Sequence, residues 1–149
     1  MPNDAPMGEL NHLVIQVARA HRATALGHLS KLGLHPGQEI ILMQLLRQDG
    51  QSQTQLAERL GVQAPTVSKM LQRLEVGDFV ERRPSSQDNR VTLVYLSAKG
   101  RSLKQPLQDA WVALERQTGL GLSQIEHNAL VKLLERLRMN LAGESDGCC

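Results

Sequence analysis

The sequence predicts a mainly α chain carrying one small β-hairpin, and three observations predict it. Apolar residues recur at helical spacing through most of the 149 residues. Over 79–96 the period shortens to two and the composition turns to Val, Thr, Tyr and Phe. Capping residues, glycines and prolines stand where such elements should start and stop, including two Ser-x-x-Gln/Glu capping boxes.

Taken in order, Leu10, Leu13, Val14, Val17, Ala18, Ala25, Leu26 and Leu29 form one stripe of a long amphipathic helix over 10–32, ending at Gly33. Pro36 suits the first turn of a second helix filled by Ile40, Ile41, Met43, Leu45 and Leu46 and running to Arg47. Ser52 and Gln55 box the start of a short third helix carrying Leu56, Ala57 and Leu60, which Gly61 closes. In the fourth, Pro65 lies in the first turn, Val67, Met70, Leu71 and Leu74 line one face, and Gly77 ends the helix. Strands over 79–83 and 91–96 follow, separated by seven tip residues rich in Pro, Ser, Asp and Asn. Ser97 caps a fifth helix with Leu103, Leu107, Ala110, Trp111 and Leu114, which Pro106 should bend or locally adjust. Ser123 and Glu126 box the last helix, built on Ile125, Ala129, Leu130, Leu133, Leu134, Leu137 and Leu141. The expected organisation is a single domain, 1–149. A lobe over 34–100 is flanked by helical regions 8–33 and 101–142, with a disordered tail over 143–149.

Composition narrows the function without naming it. Lys and Arg number 17 against 15 Asp and Glu, and a net charge of +2 neither identifies nor excludes a polyanion partner. The two cysteines, Cys148 and Cys149, are adjacent, so neither a disulfide framework nor metal-ligand spacing is available. The start lacks a basic-then-apolar leader, and the longest wholly aliphatic or Met run, 40–43, is too short to span a bilayer. The reading is a cytoplasmic protein with no membrane partner and no cofactor. Enzyme parts are missing: no nucleophile motif, phosphate loop or carboxylate pair stands out. His21 and His28 share a helical face, but about 10 Å of rise separates them, too far for two ligands of one metal.

The helix pair joined by "LGVQAP", followed at once by the hairpin, carries the functional argument. Gly61 and Pro65 permit a helix-turn-helix joint, which leaves the fourth helix free to protrude. Its outward face offers Gln63, Thr66, Lys69, Gln72 and Arg73, with no acidic residue between Gly61 and Leu74. Such a face suits a DNA major groove, where amides read base edges and cations neutralise phosphates. The hairpin would be its wing, with Arg82, Arg83 and Arg90 at or beside a tip able to enter the minor groove. Each feature alone has a plainer reading. A polar helix face is ordinarily a solvated one, and Asp88 with Arg90 could form a surface pair contributing about 0 to 1 kcal/mol. The conjunction favours nucleic acid. A protein-binding adaptor with the same architecture remains the alternative, separable by salt dependence.

The stretch "SQTQLAERLGVQAPTVSKMLQRLEVGDFVERRPSSQDNRVTLVYLSAKG", 52–100, resembles the DNA-binding core of the MarR family of winged-helix transcriptional regulators. Its most specific piece is Asp-x-Arg, here Asp88, Asn89 and Arg90, followed by a strand and then Leu96, Ser97, Ala98, Lys99 and Gly100. The resemblance implies a winged helix-turn-helix core plus a terminal-helix dimerisation region. It implies that Thr66, Ser68, Lys69, Gln72 and Arg73 face DNA, that Arg90 reaches it from the wing, and that Asp88 orients Arg90. Asn89 stands where many members have a second basic residue.

Apolar surface on the first, fifth and last helices exceeds what a 50-residue lobe can cover, which predicts a homodimer. Leu10, Leu13, Val17, Ile125, Ala129, Leu133 and Leu137 are its expected interface, and the resemblance implies the same two-fold dimer. Its two recognition helices should meet a palindromic double-stranded operator about 34 to 36 Å apart. The resemblance further implies repression relieved by a small aromatic or anionic effector. Arg19, Met43 and Trp111 are nominated for it because a cation and an aromatic surface suit an aromatic carboxylate. Oxidant sensing by Cys148 and Cys149 is disfavoured, since no basic helix terminus adjoins them.

Overall fold

The computed structural model describes residues 6–142. Cys148, Cys149 and the expected disordered tail lie outside the described residues. The chain divides into two compact units, Met1–Leu114 and Glu115–Cys149.

In the first unit, α1 (Glu9–Ser30) leads through a turn to α2 (Gln38–Arg47). Then come β1 (Gln51–Ser52), α3 (Gln53–Leu60), α4 (Ala64–Val76), β2 (Val80–Pro84), β3 (Thr92–Leu96) and α5 (Ala98–Ser102). The helix α6 (Lys104–Thr118) crosses the boundary between units, and α7 (Gln124–Ala142) belongs to the second. The strands form an antiparallel sheet in the order β1-β3-β2, with Gln51 opposite Val94 and Val80 opposite Leu96.

Local chemistry accounts for the boundaries. The Ser52 hydroxyl accepts from the Gln55 amide at 3.1 Å, and the Gln55 side chain accepts from the Ser52 amide at 2.9 Å, closing the expected box. Gly61 stops α3 in the left-handed region at φ 61°, and three residues then separate α3 from α4. Pro106 has a larger effect than a bend: the helix stops at Ser102 and restarts at Lys104. That places Pro106 at the third residue of α6, inside the first turn, where a missing N–H leaves no intrahelical bond unmade.

The lobe closes over Ile41, Leu42, Leu45, Leu56, Val67, Leu71 and Leu74, all at 0 or 1% exposure, with Phe79, Val80, Val94, Leu96 and Leu107 beside them. Each such aliphatic side chain contributes roughly 1.5 to 3 kcal/mol on burial. Ile40, expected inside α2's stripe, is 45% exposed, and Leu42 occupies the core instead. β1 was not expected. Its two polar residues carry no alternation, and Gln51 is held by tertiary context, donating from its buried amide to the carbonyls of Gln44 and Gln48. Gly100 abuts the wing's base so closely that a Cβ would lie 2.1 Å from the Phe79 carbonyl oxygen, which leaves room for glycine alone.

Candidate nucleic-acid interface

α4 turns Val67, Leu71 and Leu74 into the core and leaves Gln63, Thr66, Lys69, Gln72 and Arg73 exposed, while Ser68 is half-buried at the edge of that face. Lys69 and Arg73 have no ion-pair partner among the described residues. Two cations one helical turn apart thus stand free beside amide and hydroxyl groups.

The wing treats its cations differently. Arg90 projects at 91% side-chain exposure, yet the Asp88 carboxylate accepts from both its amide, at 3.0 Å, and its Nε, at 3.2 Å. That turn fixes the direction of the Arg90 backbone and side chain while its remaining guanidinium donors face solvent. Arg83 pairs with Glu81 and lies 4.8 Å over the Tyr95 ring. Arg82 leaves the tip: it pairs with Glu75 of α4 and donates at 3.2 Å to Gln53 of α3. Strand spacing alone sets it with the tip arginines, because spacing cannot show which partner a long side chain finds.

Met43 and Trp111 meet at a cavity of about 250 Å³. Arg19 does not line it; the cations there are Arg47 and Lys104, the latter on one helical stripe with Trp111. The Trp111 indole N–H is buried and has no hydrogen-bond partner among the described residues. Leu10, Leu13, Val17, Ile125, Ala129 and Leu133 are exposed on α1 and α7, and Leu137 is half-buried. Among the described residues no group of His, Cys, Asp or Glu could hold a metal ion, and no helix is long and apolar enough to cross a membrane.

A projecting helix and an adjoining basic finger in this order also recur in known proteins. Residues 34–92 match the family described as MarR. The organic hydroperoxide resistance transcriptional regulator of Bacillus subtilis (strain 168) is 30% identical over 112 residues, 73% of this chain and 76% of its own length. The chain belongs to the MarR family. Its relatives are transcriptional regulators, among them the HTH-type regulator YdgJ of Bacillus subtilis (strain 168), 29% identical over 68% of this chain; the chain spans 62% of YdgJ. A mutant MarR from E. coli complexed with operator DNA superposes with a TM-score of 0.76 at 26% identity, covering 86% of this chain and 92% of that one. The mainly α fold with its small antiparallel wing is therefore the winged helix of MarR regulators.

Proposed function

We propose that this MarR-family chain is a sequence-specific double-stranded DNA-binding repressor that grips a palindromic operator as a homodimer. The observation that carries this reading is the pair of cations on the exposed face of α4, Lys69 and Arg73, which have no ion-pair partner among the described residues, beside an Arg90 pre-aimed by Asp88. Free cations release counterions from DNA, whereas cations already bound to carboxylates gain less by meeting phosphate. The E. coli relative solved with operator DNA supports the same partner. Exposed apolar side chains on α1 and α7 support the dimer.

Arg90→Ala should weaken operator binding by about 1 to 3 kcal/mol while the dimer persists, read by fluorescence anisotropy beside sedimentation. Unchanged affinity would leave the wing idle. Wild-type affinity should also fall steeply between 50 and 200 mM salt, the behaviour of phosphate contacts; a flat salt response would favour a protein partner.

The effector cavity supports release by an aromatic carboxylate. Met43, Leu46 and Leu107 offer an apolar wall, Arg47 and Lys104 a countercharge, and Trp111 an aromatic surface. Trp111 is the chain's single tryptophan, so its fluorescence reports occupancy directly. An effector that binds the DNA-free dimer tenfold more tightly lowers operator affinity by a coupling of ~1.4 kcal/mol. Salicylate titration read by this fluorescence and by DNA release tests it, and fluorescence unchanged at millimolar ligand would remove the cavity from the account.

A further inference from the structure

We propose that Arg82 is a positioning residue for DNA recognition, a two-pronged clamp that sets the wing against the helix-turn-helix; the consequence for binding rests on the DNA reading above. Among the described residues, Arg82 alone of the wing's three arginines has its polar side-chain partners outside the hairpin. Arg83 pairs with Glu81 and Arg90 with Asp88, each two residues away. Arg82 instead joins β2 to Glu75 in the last turn of α4 and to Gln53 in the first turn of α3.

The topology shows why such a link matters. In the sheet order β1-β3-β2, β3 is held along one side by β1, at Val94 and Leu93, whereas β2 is the other edge, with no strand beyond it among the described residues. At the hairpin's base, the Ser97 amide donates to the Phe79 carbonyl at 3.0 Å and the Ser97 hydroxyl donates to the Asp78 carbonyl at 2.5 Å. The last ladder pair is Pro84 with Thr92, and the tip that carries Arg90 lies beyond it. β1 braces the β3 side of this ribbon as far as Leu93, opposite Arg83, but does nothing for the β2 side, and a narrow ribbon braced on one side still twists. Arg82, opposite Val94 midway along the ladder, supplies support on the β2 side.

The residue type follows from the geometry. A guanidinium can donate from Nε to Glu75 and from Nη1 to Gln53 at the same time, whereas an ammonium is a point charge that satisfies one of them well. Glu75 lies in the last turn of α4, where a carboxylate meets the negative end of the helix dipole and needs a cation beside it. The Arg82 and Glu75 side chains are 31% and 37% exposed, so the pair adds little to global stability. Its effect falls on the distance between Arg90 and the cations of α4.

The competing role for Arg82, a direct phosphate contact, predicts the opposite sign in one variant. Glu75→Gln would free a phosphate-binding Arg82 and tighten binding, but it releases a clamp and loosens binding. Operator affinity of Arg82→Ala, Arg82→Lys and Glu75→Gln should each fall about threefold to tenfold. Arg90→Ala should cost less in the Arg82→Ala background than alone, because an unclamped tip has less to lose. In the free protein, amide hydrogen exchange over 80–83 and 92–96 should quicken at least threefold in all three variants, with α2 unchanged. Arg82→Lys binding like wild type, tighter binding by Glu75→Gln, or unaltered hairpin exchange would each overturn the clamp. A wild-type protein that binds no duplex defeats the DNA reading by itself, and hydrogen exchange then decides whether Arg82 holds the wing.

Discussion

Helices α4 and α7 both carry apolar residues at three- and four-residue spacing, but α4 buries Val67, Leu71 and Leu74 at 0% exposure while α7 buries none of its residues. Ile125 is 82% exposed and Leu133 53%, on a helix as regularly striped as any in the lobe. Spacing declares a face without saying what covers it. Within the lobe, α2, α3 and the wing strands cover α4. The apolar side of α7 is left exposed in the single chain, and the proposed dimer would cover it.

Changing one residue on each face separates a core stripe from an uncovered one. Leu71→Ala should lower folding stability by about 2 to 5 kcal/mol, because the rigid core around it cannot collapse into the space, and urea unfolding reads the loss directly. A loss under 1 kcal/mol would mean that the α4 core is loose. On the other helix, Leu133→Glu should leave helical content intact while raising the dimer dissociation constant at least tenfold, about 1.4 kcal/mol, as sedimentation would show. Equal association by wild type and variant would place the interface elsewhere.

Most of the lobe is legible in sequence because local rules and tertiary packing agree there. Ser52 with Gln55, Gly61, Pro65 and Gly77 mark helix ends that the structure keeps. Legibility fails where a residue's role depends on a neighbour distant in sequence. Gln51 becomes a strand residue because Val94 is beside it, Leu42 replaces Ile40 in the core because of how α2 is turned, and Arg82 finds Glu75 and Gln53 in preference to the tip. The candidate interface follows the same division. The α4 face can be read from helical period, whereas Arg47 and Lys104 join Met43 and Trp111 only once α2 and α6 pack.

The two capping boxes carry the comparison to its finest scale. Ser52→Ala removes an acceptor from the first turn of α3 and should cost about 1 kcal/mol, measurable by thermal or urea unfolding; no loss would show that water satisfies the Gln55 amide equally well.

Ser123 and Glu126 build the corresponding box ahead of α7, with the Ser123 amide donating to Glu126 Oε2 at 2.8 Å and the Glu126 amide donating to the Ser123 hydroxyl at 3.2 Å. Here the third residue can titrate. The Ser123 backbone N–H, and then its hydroxyl, hold the Glu126 carboxyl below its ordinary value. A carboxyl depressed in the folded state stabilises fully above its unfolded pKa, near 4.3, and loses that contribution as the pH falls through the lower, folded value. Gln55 makes the same bond without a charge, so the start of α3 should be indifferent over that range. Amide exchange at the start of α7 should therefore lose protection on acidification below about pH 4 while exchange at the start of α3, corrected for intrinsic rates, stays level. Glu126→Gln should abolish the difference between the two helices; a pH response that survives this substitution would move the titrating group away from the cap.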